Sequence, residues 1–421
     1  MKKLLFVILI PFLGIAQDFT ANHIRYTITS SEAPFTAKVA RNPDFSGVAV
    51  IPETVAYNSK NYIVTAIGES AFIQCNNLTS VTIPNSVTTI GDYVFADCPG
   101  LTSVTIPNSV ITINRGAFGG CSSLTSVTIP NSVTTIRENA FADCSGLTSV
   151  TIPNSVTTIG DESFARCSGL TSVTIPNSVT TIGDEAFADC SGLTSVTIPN
   201  SVTTIGDGSF AECSGLTSVT IPNSVTTIGD GSFAECSGLT SVTIPNSVTT
   251  IGDGSFAECS GLTSVTIPNS VTTIGDEAFA GCSSLRTVNC HITSPLVINV
   301  TTFRRVNKST CALNVPTGTQ AVYQAAAVWR NFSPISGSLL SNHSFAIESA
   351  LKIYPNPASE ILNIALQEGL QLQKVNFYNT LGQLIKTTNH SEINVSSFAK
   401  GNYFVEVMTN QGKATKTIII Q

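Results

Sequence analysis

Residues 170–192 read LTSVTIPNSVTTIGDEAFADCSG, and close copies of this stretch recur at a fixed period of 23 residues from about Leu78 to Leu285. Self-similarity at such a period is typical of a solenoid, in which each repeat buries its apolar side chains only by stacking on its neighbours. The rest of the chain therefore serves to start, end or deliver the repeat array.

The first part of each repeat has the pattern of a short β-strand. In the copy that begins at Leu78, the alternation of Val81 and Ile83 with polar residues predicts a strand with one buried face. Pro84 cannot donate a hydrogen bond to a neighbouring strand, so the strand is expected to end there.

The second part of each repeat carries a phenylalanine, with a cysteine three residues later in every copy from Phe72 to Phe279. In residues 91–98 the apolar side chains are three or four positions apart, which predicts one turn of tight helix on the opposite side of the coil.

A strand, a turn and a helical turn within 23 residues follow the leucine-rich-repeat plan. The pattern L-x-x-V-x-I-P-x-x-V-x-x-I-G-x-x-x-F-x-x-C resembles the BspA-like class of leucine-rich repeats of bacterial surface proteins, over residues 47–288. The resemblance implies a β-rich repeat solenoid of about ten coils with short strands and helical turns. The sequence departs from better-known leucine-rich repeats at Ser86, where an asparagine usually follows the strand.

The composition excludes some classes of partner. The 421 residues are 42% hydrophobic and only 11% charged, and 27 acidic against 20 basic residues give a net charge of -7. This balance offers no basic surface for nucleic acid or for an anionic membrane.

The N-terminus has the three parts of a secretory signal peptide. Lys2 and Lys3 precede the apolar run at residues 4–10, and small residues before Gln17 predict cleavage after Ala16. The run is too short to span a membrane, so we predict an exported mature chain without a transmembrane segment.

Segments without the repeat flank the array. Residues 17–46 alternate like strands and are predicted to form an N-terminal β cap, and residues 57–62 predict a small hairpin inserted in the first coil. Residues 289–336 are predicted to form the C-terminal cap. Its aromatic residues, including Trp329, either cover the last apolar layer or stack on a ligand. Residues 337–350 have the composition of a linker.

Residues 351–421 predict a separate, small all-β sandwich of short strands divided by Gly and Asn turns. Three motifs in it resemble those of the C-terminal sorting domain read by the bacterial type IX secretion system: Tyr354, Pro355, Asn356 and Pro357; Leu381, Gly382 and Gln383; Gly401 and Tyr403. The resemblance implies contact with that secretion machinery, passage through the periplasm, and a secreted or cell-surface location outside the outer membrane. It also implies that the domain is often removed, and both fates stay open here.

The twelve cysteines give no sign of catalysis or of a bound metal. Ten of them form the ladder from Cys75 to Cys282, for which buried thiols and disulfides between adjacent coils are the alternatives. Outside the ladder, Cys290 and Cys311 are the candidate disulfide. No Cys-x-x-Cys motif occurs, and His291 is the single histidine beside a cysteine. We predict a non-enzyme with no catalytic, metal or cofactor site.

Acidic residues also share one position of the repeat, with Arg115 as the exception. Two interpretations stay open: acids that favour the N-terminus of each helical turn, or weak binding of divalent cations between adjacent coils. The acidic residues are Glu69, Asp92, Glu138, Asp161, Asp184, Asp207, Asp230, Asp253 and Asp276.

The candidate binding surface is the solvent face of the repeated strands, where each copy carries one serine and one threonine. Solenoids bind through such extended faces, and repetition suits a multivalent partner. We predict a monomer that adheres to or recognises a protein or a glycan on a surface. The alternative is that these hydroxyl rows match a crystalline lattice such as ice. The proposed ligand-binding residues are Ser80, Thr82, Ser103, Thr105, Ser126, Thr128, Ser149, Thr151, Ser172, Thr174, Ser195, Thr197, Ser218, Thr220, Ser241, Thr243, Ser264 and Thr266.

Overall fold

The computed structural model describes residues 17–339, 351–367, 370–409 and 412–421. Contacts divide the chain into two units, Met1–Leu313 with Gln324–Ile335, and Asn314–Tyr323 with Ser336–Gln421. The first unit contains the repeats, and the second contains the C-terminal strands. The predicted signal peptide, residues 1–16, lies outside the described residues.

The described part of the chain begins with six strands: β1 (Asp18–Ala21), β2 (Ile24–Ser30), β3 (Thr36–Val39), β4 (Gly47–Val50), β5 (Thr54–Tyr57) and β6 (Lys60–Ile67). Five of them form a sheet in the order β1-β2-β3-β6-β5. The antiparallel pair of β5 and β6 is the hairpin predicted for residues 57–62. Its turn residues Asn58 and Ser59 have φ values of 47° and 60°, as a two-residue turn of the favoured hand requires.

Each following coil up to β24 contributes two short strands, one on each of two parallel sheets, and the next coil contributes β25 alone. The odd-numbered strands extend a sheet that starts with β4 and β7, the even-numbered strands from β10 to β24 form an eight-stranded sheet, and β8 pairs with β6. The strands are β7 (Leu78–Thr82), β8 (Thr89–Ile90), β9 (Ser103–Thr105), β10 (Thr112–Ile113), β11 (Ser126–Thr128), β12 (Thr135–Ile136), β13 (Ser149–Thr151), β14 (Thr158–Ile159), β15 (Ser172–Thr174), β16 (Thr181–Ile182), β17 (Ser195–Thr197), β18 (Thr204–Ile205), β19 (Ser218–Thr220), β20 (Thr227–Ile228), β21 (Ser241–Thr243), β22 (Thr250–Ile251), β23 (Ser264–Ile267), β24 (Thr273–Ile274) and β25 (Thr287–Cys290).

A column of stacked phenylalanine rings runs through the solenoid core. Neighbouring rings from Phe72 to Phe303 have centroids 5.3–5.6 Å apart and planes within 20° of parallel. The 23-residue sequence pattern predicts that this column ends at Phe279. Phe303 follows it by 24 residues instead of 23, so one inserted residue hides one more coil from a search at fixed period.

The predicted helical turn is wrong: no residue between 68 and 290 is helical. Alternate backbone N–H groups of this segment bond to the neighbouring coil. The N–H of Phe187 donates to the carbonyl of Ser209 in the next coil (2.8 Å), whereas that of Ala188 donates to Glu185 in its own coil (3.0 Å). A helix keeps its N–H groups within one segment. The coils instead use every second one to bind each other.

These tight turns place non-glycine residues in the left-handed region, which suggests a stabilising substitution. Glu185 has φ of 53°, and the equivalent position in a later coil is Gly208, with φ of 58°. We expect Glu185→Gly to raise the free energy of unfolding by about 0.5–1 kcal/mol, because glycine adopts this conformation without the Cβ penalty. Guanidinium denaturation measures the change. Glu185→Ala keeps the Cβ and is expected to give no gain, so an equal gain from both substitutions would contradict the strain argument.

After the repeats come a 3-10 helix at Lys308–Thr310, β26 (Ala312–Pro316), helix α1 (Gln320–Ala325), a second 3-10 helix at Trp329–Asn331 and β27 (Ile335–Leu339). Trp329 is 0% exposed, with its ring 5.8 Å from that of Phe303, and its indole N–H donates to the carbonyl of Leu296 (2.8 Å). Trp329 therefore covers the last ring of the column. The ligand-stacking alternative has no exposed tryptophan face to use. Residues 337–339 of the predicted linker belong to β27, and residues 340–350 lie outside the described part of the chain.

The C-terminal strands are β28 (Leu351–Tyr354), β29 (Ile361–Leu366), β30 (Leu372–Tyr378), β31 (Leu384–Thr388), β32 (Glu392–Asn394), β33 (Gly401–Thr409) and β34 (Gly412–Ile420). They form two sheets, in the orders β28-β29-β32 and β31-β30-β33-β34. Leu362 and Ile364 of the first sheet share one core with Phe377 and Val405 of the second. The predicted β-rich solenoid followed by a small all-β domain is confirmed.

Candidate functional site

The predicted strand-face residues form two continuous rows. Parallel pairing aligns threonine with threonine at every step from Thr82 to Thr266, and serine with serine at every step from Ser80 to Ser264 except that between β9 and β11. Every serine and threonine of the two rows is exposed or half-buried, while the valine between them is buried. Because adjacent strands lie about 4.8 Å apart, each row repeats a hydroxyl at about that interval.

These face hydroxyls differ from other threonine hydroxyls of the repeat. The hydroxyl of Thr102 donates to the carbonyl of Thr79 in the preceding coil (3.1 Å), and Thr148 and Thr194 bond in the same way. Within the described residues, the hydroxyls of the two rows have no hydrogen bond inside the chain, except that Thr266 accepts one from Asn289 (3.4 Å). The rows can therefore direct their hydrogen bonds to a ligand.

A row of exposed asparagines borders the threonine row, and the sequence prediction missed it. Asn108, Asn131 and Asn154 line a groove of about 720 Å³ together with Thr128 and Thr151. The signal was present in the sequence, since an asparagine follows the proline in every copy from Asn85 to Asn269. The row adds amide donors and acceptors beside the hydroxyls, without any charge.

On its first strand, β4, the strand face carries valines in place of serine and threonine. Val48 and Val50 of β4 pair with Ser80 and Thr82, and each valine is 59% exposed. The hydroxyl rows therefore begin at β7, after an apolar edge strand.

The acidic row has a role that requires no helix, which corrects the first interpretation of it. The carboxylate of Asp184 accepts a hydrogen bond from the backbone N–H of Asp207 in the next coil (2.9 Å), and the same bond recurs as far as Asp276. One oxygen of each of these carboxylates therefore links two coils. In the described residues, no group of three or more His, Cys, Asp or Glu side chains is arranged to hold a metal ion.

The cysteines form a column of buried thiols. All twelve cysteines are buried and none is disulfide-bonded, so the candidate disulfide between Cys290 and Cys311 is absent. Each thiol of the repeat from Cys98 to Cys282 donates to the carbonyl of the phenylalanine in the preceding coil, as Cys190 does to Phe164 (3.2 Å), and the first thiol, Cys75, donates to the carbonyl of Asn42 (3.2 Å). Burial raises the pKa of Cys98 and Cys167 to about 12, so these thiols stay protonated and unreactive at neutral pH.

His291 lacks the geometry of a catalytic base. Its Nδ1 atom is buried without a hydrogen-bond partner, and burial lowers the pKa of the imidazole. A general base normally has a second group that orients it.

In the second unit, the three predicted motifs occupy a strand end, a hairpin tip and a strand start. Tyr354 ends β28 and residues 355–357 follow it, Leu381 and Gly382 lie in the turn between β30 and β31, and Gly401 begins β33. Tyr403 is buried, and its hydroxyl donates to the carbonyl of Ala399 (2.9 Å). Among the described residues, no helix has the length and apolar character needed to cross a membrane.

Comparison with known proteins gives two family matches. The family model described as BspA type leucine rich repeat region, with six copies, matches residues 65–194 and 180–309. The model described as secretion system C-terminal sorting domain matches residues 352–421. No curated protein matches the chain significantly.

Solved structures of bacterial repeat proteins are similar to the chain. A leucine-rich repeat protein from Bacteroides ovatus is 27% identical, with a TM-score of 0.51 over 76% of this chain and 98% of that chain. A leucine rich cell surface protein from Faecalibacterium prausnitzii is 29% identical, with a TM-score of 0.44 over 73% of this chain and 97% of that chain. The first likeness agrees with the solenoid described above.

Proposed function

We propose, on the premise that this chain belongs to the BspA-type leucine-rich-repeat family, that its solenoid is a non-catalytic surface that recognises a protein or a polysaccharide. The C-terminal sorting domain indicates secretion to the cell surface or outside. The observation that carries the proposal is the pair of in-register hydroxyl rows, whose hydroxyls other than that of Thr266 have no partner among the described residues. Such rows present the same donors and acceptors in every coil.

The chemistry of the face favours an uncharged and repetitive partner. Serine, threonine and asparagine supply donors and acceptors, and neither hydroxyl row contains a charged residue. A partner with its own repeat can engage several coils at once, so its binding strengthens with the number of coils it spans. The same uniformity argues against a unique pocket for a small metabolite.

Binding by the purified mature chain to an array of matrix proteins and polysaccharides tests the proposal. We expect Thr174→Val, Thr197→Val and Thr220→Val together to weaken binding, because valine keeps the strand but removes three hydroxyls. Thr181→Val, Thr204→Val and Thr227→Val change the other parallel sheet and are the matched control. Equal loss from both sets, or turnover of a small molecule by the pure protein, would overturn the proposal.

A lattice-binding role is the second candidate, and the unbroken register of the threonine row is the observation that favours it. The parallel row is serine, which has no methyl group to match a lattice of water. We expect no thermal hysteresis from the mature chain. Clear hysteresis that the three valine substitutions abolish would replace adhesion by lattice binding.

A further inference from the structure

Three motifs that lie far apart in the sequence meet at one end of the four-stranded sheet β31-β30-β33-β34. The register places Asn402 of the third motif opposite Ile419 of the last strand. Tyr378 lies opposite both Leu384, which follows the second motif, and Phe404, which follows the third. Paired residues of antiparallel strands share one face of the sheet. Leu384, Phe404 and Ile419 are therefore on the same face.

That face is the outer one, and its apolar side chains are exposed. On the inner face Phe377, Val405 and Ile418 are buried in the core. On the outer face Leu384 is 56% exposed and Phe404 and Ile419 are each 42% exposed, and at the adjacent hairpin tip Leu381 is 82% exposed. We call Leu381, Leu384, Phe404 and Ile419 the apolar patch. Clustered exposed apolar side chains of this kind mark interaction sites more often than scattered ones do.

The first motif holds the last strand in place. The side-chain amide of Asn356 donates to the carbonyl of Thr417 (3.2 Å) and accepts from the N–H of Ile419 (2.8 Å). Ala358 then donates to the carbonyl of Ile419 (2.8 Å) and accepts from the N–H of Gln421 (2.9 Å). This segment covers the outer edge of β34 over residues 417–421. A partner therefore meets this end of the strand through its face, because the edge is already paired.

The second motif is also held in place by hydrogen bonds, here from Asn379. The side-chain oxygen of Asn379 accepts from the backbone N–H groups of Leu381 (3.0 Å) and Gln383 (2.9 Å), and its amide donates to the side chain of Gln383 (2.8 Å). The backbone at Leu381 is thus fixed at the hairpin tip, while its side chain is largely exposed. Binding at this position therefore costs little backbone freedom.

We propose that the apolar patch is the surface by which the sorting domain docks on a protein of the secretion machinery, and that this partner is apolar where it meets the patch and acidic overall. The charge argument is that residues 351–421 carry six lysines and four glutamates, a net charge of +2, whereas the rest of the chain has a net charge of -9. This inference rests on the proposed export by that machinery. Asn356 and Asn379 are positioning residues, since they act by holding Ile419 and Leu381.

Export of the full-length chain in the producing bacterium tests this proposal. The variant carries Leu381→Asn, Phe404→Thr and Ile419→Thr, and we expect surface-exposed protein to fall by about tenfold or more while the chain accumulates in the periplasm. The control carries Lys374→Gln and Thr415→Asn, exposed residues at the other end of the β30-β33-β34 face, and is expected to reach the surface normally.

Two further measurements make the outcome decisive. Leu381→Asn alone changes a side chain that is 82% exposed, so it is expected to reduce export without any change in the melting temperature of the purified chain.

Normal export of the triple variant would overturn the proposal that the apolar patch is the docking surface. If deletion of residues 413–421 blocks export but the triple variant does not, the export route stands and the patch is wrong. If both reach the surface, the route itself is wrong. A purified dimer that the triple variant disperses, with export unchanged, would assign the patch to a second copy of the chain and also overturn the proposal.

Discussion

Deletion of residues 413–421 is expected to leave the repeats folded and the chain trapped in the periplasm. β34 pairs with β33 along its whole length, from Gly401 opposite Ile420 to Thr409 opposite Gly412. It also contributes Ala414, Ile418 and Ile420 to the core of the C-terminal domain. Burial of one isoleucine contributes about 1.5–3 kcal/mol, so a small domain that loses two of them and a strand is not expected to fold.

Cell fractionation followed by surface proteolysis measures the result. Thr417→Ser is the control, because it keeps the strand and changes only an exposed side chain, and it is expected to be exported normally. The periplasmic chain should still show the protease resistance of the solenoid, since each coil is stabilised by its neighbours. Surface exposure of the truncated chain at the normal level would contradict a sorting role.

The fate of the domain after export separates sorting from a permanent binding module. Mass spectrometry of the surface-exposed protein is expected to find a chain that starts at Gln17 and ends within residues 337–350. An intact C-terminus at Gln421 on the cell surface would instead favour a module that stays on the mature protein.

Much of the solenoid could be predicted because the side chains that form its core recur at a fixed period in the sequence. The phenylalanine and cysteine columns and the exposed Ser and Thr rows all follow from residue type and spacing. The helical turn could not be predicted correctly, because a spacing of three or four describes both a helix and a series of tight turns. The hydrogen bond that distinguishes the two, from the N–H of Phe187 to the carbonyl of Ser209, joins two different coils. It therefore cannot be predicted from the residue spacing within one copy of the repeat.

The contacts made by the C-terminal motifs could not be predicted from the sequence either. Residue spacing locates the motifs in the chain, but the contact of Asn356 with Ile419 spans 63 residues and depends on how two sheets are arranged. The acidic row is a similar case. The sequence shows one carboxylate per coil, whereas its role depends on the N–H group that the next coil places beside it.

The second large effect is expected at high pH, where the solenoid should lose stability steeply. Burial raises the pKa of Cys98, Cys167 and Cys282 to about 12, and that of the other ladder thiols also lies above its usual value. A thiol in the unfolded chain ionises at about pH 8.5. Folded thiols therefore keep protons that the unfolded chain releases. Their contribution to stability is complete below about pH 8.5 and is lost as the pH rises toward about 12.

Each such thiol lowers the free energy of unfolding by about 1.4 kcal/mol per pH unit within this window. If the ten coils that carry the ladder thiols unfold together, the free energy of unfolding falls by about 14 kcal/mol per pH unit. This change is comparable to the whole stability of an ordinary domain. We expect the guanidinium midpoint, measured with a reductant present, to collapse within about one pH unit above pH 9.

Substitutions in three coils separate the thiols from the other groups that titrate at high pH. Cys190→Ala, Cys213→Ala and Cys236→Ala together are expected to reduce the slope by about 4 kcal/mol per pH unit, because three protons are no longer released. Val179→Ala, Val202→Ala and Val225→Ala remove buried methyl groups from the same coils. This control is expected to lower stability equally at every pH and to leave the slope unchanged.

The slope also reports how many coils unfold as one unit, because each coil of the ladder carries one thiol. Neighbouring coils are joined by two parallel sheets, by the turn hydrogen bonds and by the ring column, so we expect the whole ladder to unfold together. A slope of about 7 kcal/mol per pH unit would mean that about five coils unfold at a time. A slope that the cysteine substitutions do not change would show that the thiols are not the groups that hold the protons.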